Sequence, residues 1–244
     1  MISYKEKGTS QTSKTVVLLL LVSRLALFLA FQAMVALLAN SWKISEKYWL
    51  LSATLTNLVS IALLFVLFKR EGKNYFSIFS FNRTNLKKDL LVFLGLAIAT
   101  VPIVFLPGYF LSILIWDDPN TPTQIMFGPI QKWLVYILLI SFPITISMAE
   151  LATYFGYIMP KLKEQFNMKC LAILVPVLFL SLQHCTLPFI PDIDFIIYRA
   201  LVFLPFACLI GISIYYRPSL FIYFSILHGI MDFGTVLMFL SEIK

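Results

Sequence analysis

Apolar residues fall along this chain in seven long runs, at 15–38, 48–68, 90–115, 133–162, 170–187, 195–216 and 218–241. Within each run they are nearly continuous. They show neither the alternation of a half-buried strand nor the single stripe of a surface helix. Runs of about 18 or more apolar residues are long enough to cross a bilayer. Hydrocarbon admits only structures that satisfy their own backbone, which leaves helices or closed barrels. The non-alternating pattern selects helices. The sequence therefore predicts an all-α polytopic membrane helix bundle of about seven transmembrane helices, six to eight, in a single integral membrane domain over 1–244. The longest polar connection, Lys69 to Asp89, is too short to bury a second core.

Composition agrees: the chain is 60% hydrophobic and only 13% charged, against about 25% charged for a soluble domain. Lys5, Lys7 and Lys14 precede a first run of about 24 apolar residues. A cleaved signal has an apolar region of only about 7–15 residues, so the reading is a retained first helix. Lys and Arg outnumber acids by 19 to 12, but they sit in short loops beside apolar runs. That placement reads as a topology signal and points to no nucleic acid.

With the N-terminus in the cytoplasm, Lys5, Lys7, Lys14, Lys69, Arg70, Lys73, Arg83, Lys87, Lys88, Lys161, Lys163, Lys169 and Arg217 share that side. The other side receives Lys43, Lys47, Lys132 and Lys244, with Asp117, Asp118, Asp192 and Asp194. The positive-inside rule thus predicts a cytoplasmic N-terminus. Membrane lipids are expected partners. The basic connection from Lys69 to Lys88 is interrupted by Tyr75, Phe76, Phe79 and Phe81, which suggests an interfacial segment more than a headgroup site.

Prolines 102, 107, 143, 176 and 205 lie inside runs, where each removes a helix bond that bundle neighbours can replace. The spacings Gly95/Ala99 and Ala207/Gly211 mark expected helix contacts. Cys170, Cys185 and Cys208 form no C-x-x-C and read as small apolar fillers. No internal repeat supports a transporter of two matched halves.

Six ionisable groups fall inside the runs: Arg24, Glu150, His184, Arg199, His228 and Asp232. A charged side chain at membrane depth is costly and is a functional hypothesis by default. The two arginines are read as structural or charge-neutralising groups. His228 and Asp232 are i, i+4 and share one helix face. At 1.5 Å rise per residue, Glu150 lies about 18 Å from Leu162, His184 about 21 Å from Cys170, and His228 and Asp232 about 14 and 20 Å from Ser219. Helices of alternating direction therefore bring four polar groups to similar depth.

That quartet restricts the chemistry. There is no H-E-x-x-H for a zincin site, and Gly211-Ile212-Ser213-Ile214-Tyr215 lacks the closing glycine of a nucleophile elbow. A buried Glu beside an imidazole can hold and deprotonate a water for attack on an amide carbonyl. A second His with a polar neighbour can stabilise the oxyanion. The same N and O atoms also suit a metal such as zinc, and spacing alone does not separate the two. No cofactor is expected, and bound zinc is the less favoured alternative.

The residues resemble the CPBP (Abi) family of intramembrane endopeptidases, which includes the CAAX prenyl endopeptidase. Its first motif, E-E-x-x-x-R-G followed by Y-L-L-P-R/K-L, is similar to Glu150-Leu151-Ala152-Thr153-Tyr154-Phe155-Gly156 and Tyr157-Ile158-Met159-Pro160-Lys161-Leu162. The second, an apolar residue before a His, is similar to Leu180-Ser181-Leu182-Gln183-His184, with Leu where Phe is usual. The third, H-x-x-x-N/D, is similar to His228-Gly229-Ile230-Met231-Asp232. The motifs cover about a third of the chain, in a core at about 133–241. The resemblance implies an endopeptidase in which Glu150 and His184 activate water, His228 and Asp232 form the oxyanion side, and the substrate is a peptide or membrane-protein segment.

Two positions depart from the family pattern. The second Glu is Leu151 and the motif Arg is Phe155. Being i, i+4, the family pair can bridge on one helix face. Exchanging a whole buried ion pair for hydrophobes is often neutral for stability, whereas losing one partner is not. The joint change reads as a coherent exchange that keeps the fold. It also motivates the alternative of a catalytically inactive relative acting in bacteriocin immunity, binding or envelope regulation.

Overall fold

The computed structural model describes residues 14–166 and 168–242. Lys5, Lys7 and Lys244, part of the charge asymmetry, lie outside the described residues. Among the described residues no strand occurs, and seven helical stretches are long and apolar enough to cross a membrane. The protein is an all-α, integral membrane helix bundle.

The first span is α1 (Lys14–Ala39), followed by the short α2 (Trp42–Lys47). The second is α3 (Trp49–Arg70), then a 3-10 turn at Tyr75–Phe79. The third, α4 (Leu86–Trp116), begins earlier than the apolar run predicts because its first-turn Asp89 is fully buried and accepts from Arg217 Nε at 2.6 Å. A second short helix unannounced by the apolar pattern, α5 (Thr121–Met126), precedes α6 (Lys132–Leu151). There the fourth span widens into a π-helical stretch, Ala152–Ile158, before resuming as α7 (Met159–Gln165).

The fifth span, α8 (Lys169–Leu182), ends in a 3-10 turn at Gln183–Thr186. The sixth is two helices, α9 (Ile193–Val202) and α10 (Leu204–Tyr216), meeting at Phe203. Pro205 falls in the first turn of α10, where it has no intrahelical bond to break, so it starts a helix instead of kinking one. After a 3-10 turn at Pro218–Leu220, α11 (Phe221–Ser241) completes the bundle.

Helix α6 is central, packed between α3 and α11. Two glycines set its close approaches. A Cβ on Gly229 of α11 would stand 3.0 Å from the Pro143 carbonyl of α6, so any larger residue there needs the helices to shift by a few tenths of an ångström. A Cβ on Gly211 of α10 would stand 2.6 Å from Val177 of α8 and 3.1 Å from Phe155, which fulfils the Ala207/Gly211 expectation. The Gly95/Ala99 expectation fails, since a Cβ on Gly95 meets nothing within 4 Å. Helix α4 is peripheral, and Leu91, Ile98 and Leu114 on it are all exposed, as side chains facing lipid would be.

The two ends of the bundle differ. At the basic end, Glu71 accepts from Tyr157 at 2.7 Å and pairs with Lys161 at 2.8 Å and Lys73 at 3.2 Å. Buried Tyr75 donates to the Met148 carbonyl, and burial pushes its phenol pKa up, so it remains a donor. At the other end, Trp49 Nε1 donates to the Met126 carbonyl at 2.9 Å and Gln32 Nε2 to the Phe189 carbonyl at 2.8 Å.

Candidate active site

Glu150 occupies the last turn of α6, immediately before the π-helical stretch, and is only 1% exposed. Insertions of this kind shift the register of the side chains that follow, and they are frequent at functional sites. Gly229 brings α11 against α6, and His228 Nε2 thereby stands 3.2 Å from Glu150 Oε1. The same nitrogen lies 3.3 Å from Asp232 Oδ2, one helical turn along. One imidazole thus stands between two carboxylates, as i, i+4 spacing permits for one acid and helix packing supplies for the other. His228 Nδ1 is buried and has no hydrogen-bond partner among the described residues.

A cation completes the group. Arg24 of α1 is fully buried, and its Nη2 lies 3.6 Å from Glu150 Oε2. Each of its three nitrogens also donates a hydrogen bond: Nε to Gln183 Oε1 at 2.7 Å, Nη1 to Ser60 Oγ at 3.2 Å and Nη2 to Asn57 Oδ1 at 2.9 Å. Asn57 in turn donates to Thr145 on α6 at 3.3 Å, and Tyr154 donates to Gln183 at 3.4 Å. A buried ion pair is tolerable only when its other polar atoms are satisfied. Five helical segments converge to supply most of those partners, with Gln183 Nε2 left without one among the described residues. Arg24 and His228 thus stand against Glu150 and Asp232 in one buried group.

His184 comes to the site differently. It sits on the 3-10 turn after α8, and its Nδ1 lies 2.9 Å from the Leu180 carbonyl. A carbonyl only accepts, so Nδ1 carries the hydrogen and, in a neutral ring, Nε2 is the acceptor. The ring stacks on Phe203 with centroids 3.9 Å apart. Arg199 fixes this turn, donating to the carbonyls of His184 and Leu187 while lying over the Phe203 ring. The two intramembrane arginines therefore have distinct duties: Arg24 neutralises a carboxylate, and Arg199 holds backbone.

The expected neighbours are rearranged in one respect. The direct partner of Glu150 is His228, and no direct hydrogen bond joins Glu150 to His184 among the described residues. The two face a common cavity of about 860 Å³, which Asp232 and His228 also line. Among the described residues no group of three His, Cys, Asp or Glu side chains is placed to hold one metal ion. Leu151 and Phe155, the departures from the family motif, are both buried in the apolar core below Glu150. Motif residues Tyr157 and Lys161 serve another purpose, anchoring the π-helical stretch to Glu71 at the basic end.

Sequence reasoning missed Gln183, Asn57, Ser60 and Tyr154, the groups that hold Arg24. A trace of them was there: Ser52, Thr56 and Ser60 recur every four residues beside Asn57 inside an otherwise apolar run, which marks one polar face on α3.

No family model, no curated protein and no solved structure matches the chain.

Proposed function

We propose that this protein is an intramembrane endopeptidase of the CPBP type that hydrolyses a peptide bond with a water activated by Glu150. The observation that carries the reading is a nearly inaccessible carboxylate, flanked by His228 at 3.2 Å and Arg24 at 3.6 Å, facing a cavity of about 860 Å³. In this reading a cavity water gives a proton to Glu150 as its oxygen attacks the amide carbon. The neutral Nε2 of His184, across the same cavity, accepts the water's second hydrogen bond. His228, with Asp232 one turn along, stands on the side of the developing oxyanion. The C–N bond then breaks, and the amine leaves with the proton held by Glu150. The Lys and Arg asymmetry supports a cytoplasmic N-terminus, and the reading places the protein in a bacterial cell membrane.

A second reading has its own observation. Leu151 and Phe155 fill the family's second Glu and Arg positions with buried apolar side chains, which favours a non-catalytic membrane protein in bacteriocin immunity or envelope regulation. Purified protein in nanodiscs, assayed on a library of quenched fluorescent peptides, separates the two. Glu150→Gln should lower cleavage by about 100-fold or more, the scale of a lost general base, with elution and thermal stability retained. Equal cleavage by a folded Glu150→Gln protein overturns the endopeptidase reading. A biological function that survives both Glu150→Gln and His184→Ala supports the second reading.

A further inference from the structure

The cavity that Glu150 faces is strongly one-sided. Glu150 is the residue of α6 nearest the basic end that lines it, and a layer of buried side chains separates it from a second cavity of about 510 Å³ at the basic end, lined by Ser77, Gly156 and Pro218. Leu151, Tyr154, Phe155 and Ile158 are each at most 2% exposed and belong to one apolar core. From Glu150 the cavity runs the other way, along the far half of α4 at Ser112 and of α11 at Thr235, to the connection after α4 at Asn120 and Thr123. Asn120 and Thr123 are exposed, so the cavity meets solvent there. Its flank includes Phe105 of α4, 66% exposed on the outer surface of a peripheral helix.

We propose that the substrate reaches Glu150 from the face bearing Asp117, Asp118, Asp192 and Asp194, opposite the basic loops, as an extended apolar peptide segment lying between α4 and α11. This rests on the endopeptidase reading above and adds its route and substrate class. A volume of about 860 Å³ suits a few residues of extended chain, in the range of single-ligand pockets. It is too small for a length of transmembrane helix, which is about 10 Å across. The walls are mostly apolar and aromatic, with Ser112 and Thr235 among them, and the carboxylates and imidazoles of Glu150, His184, His228 and Asp232 gather at the floor, where the scissile amide would meet the water. With a cytoplasmic N-terminus, the route begins on the extracytoplasmic side.

The test uses the full chain with Cys170, Cys185 and Cys208 replaced by serine and reconstituted in vesicles. Single cysteines are placed in the cavity wall (Ser112→Cys and, separately, Thr235→Cys), at its mouth (Asn120→Cys) and at the basic end (Arg83→Cys). A charged, membrane-impermeant thiol reagent is added to one side at a time. Both wall cysteines should react an order of magnitude faster from the side that labels Asn120→Cys than from the side that labels Arg83→Cys. A synthetic Leu/Ala/Val peptide should slow the wall reaction severalfold and leave Arg83→Cys unaffected. Labelling from the basic side, equal labelling from both sides, no labelling of either wall cysteine, or indifference to the peptide would each overturn the proposal. Labelling needs no hydrolysis, so repeating it with Glu150→Gln keeps the fate of the route separate from that of the endopeptidase reading.

Discussion

Arg24, in the first transmembrane helix, lies 3.6 Å from the carboxylate of Glu150 at the end of α6. No local spacing relates the two residues. On α6 and its continuation no cation stands beside Glu150: Phe155, about a turn on, is packed against Gly211, and the cation comes from a different helix. The carboxylate therefore has a counter-charge that its own helix does not supply.

Removing that counter-charge should be costly. Arg24→Leu leaves Glu150 buried without its cation and strips partners from Asn57, Ser60 and Gln183. The expected loss is about 3–5 kcal/mol, the scale for breaking a buried pair from one side. Thermal or denaturant unfolding in detergent measures it. Glu150→Gln in the Arg24→Leu background should cost far less than additivity predicts, and strict additivity would show that the two residues are not coupled.

The close approach of α10 to α8 predicts a contrast between two glycines. Gly211→Ala places a methyl 2.6 Å from Val177 and should destabilise by about 1–3 kcal/mol, as overpacked cores do. Val177→Ala should recover part of that. Gly95→Ala meets nothing within 4 Å and should instead stabilise α4 by about 0.5–1 kcal/mol through helix propensity. A melting series of the three variants reads all of this at once.

Gly229→Ala should separate function from fold. The added methyl meets the Pro143 backbone carbonyl at 3.0 Å, which cannot rotate away, so α11 must move off α6. His228 moves with it. Peptide cleavage should fall by more than the stability change accounts for, while Gly95→Ala, with open space around its Cβ and outside the cavity lining, leaves cleavage intact. Retained cleavage in a folded Gly229→Ala protein would show that the 3.2 Å approach of His228 to Glu150 is dispensable.

At the basic end, Lys161 and Lys73 share Glu71 but differ in setting. The Lys161 side chain is 10% exposed and that of Lys73 is 53% exposed. Lys161→Met should cost about 1.5–3 kcal/mol, the range for a hydrogen bond to a charged group. Lys73→Met should cost about 0–1 kcal/mol, as for surface pairs. Raising salt should weaken the second contribution and spare the first. Equal losses in the two variants, compared by unfolding at two ionic strengths, would contradict the assignment.

Much of the architecture was legible in the chain. Long continuous apolar runs located every span, because hydrocarbon forces the backbone into helices of bilayer length whatever else they pack against. The 1.5 Å rise per residue also placed Glu150, His184, His228 and Asp232 at common depth, and i, i+4 spacing paired His228 with Asp232. Each of these properties belongs to a single helix. The short helices α2 and α5 escaped because they carry no spanning run, and the break at Phe203 escaped because Pro205 can either kink a helix or begin one.

What only the tertiary structure decided is which faces meet. Sequence gives a residue's height along its helix axis but leaves open the rotation of that axis and the identity of its neighbour. Those come from packing: Gly229 against Pro143, which makes His228 and not His184 the direct partner of Glu150, and the π-helical stretch, which reorients the residues after it. The pairing of Arg24 with Glu150 is of the same kind. Two charges on distant segments become partners because burying either alone is too costly, and only the folded bundle determines that they meet.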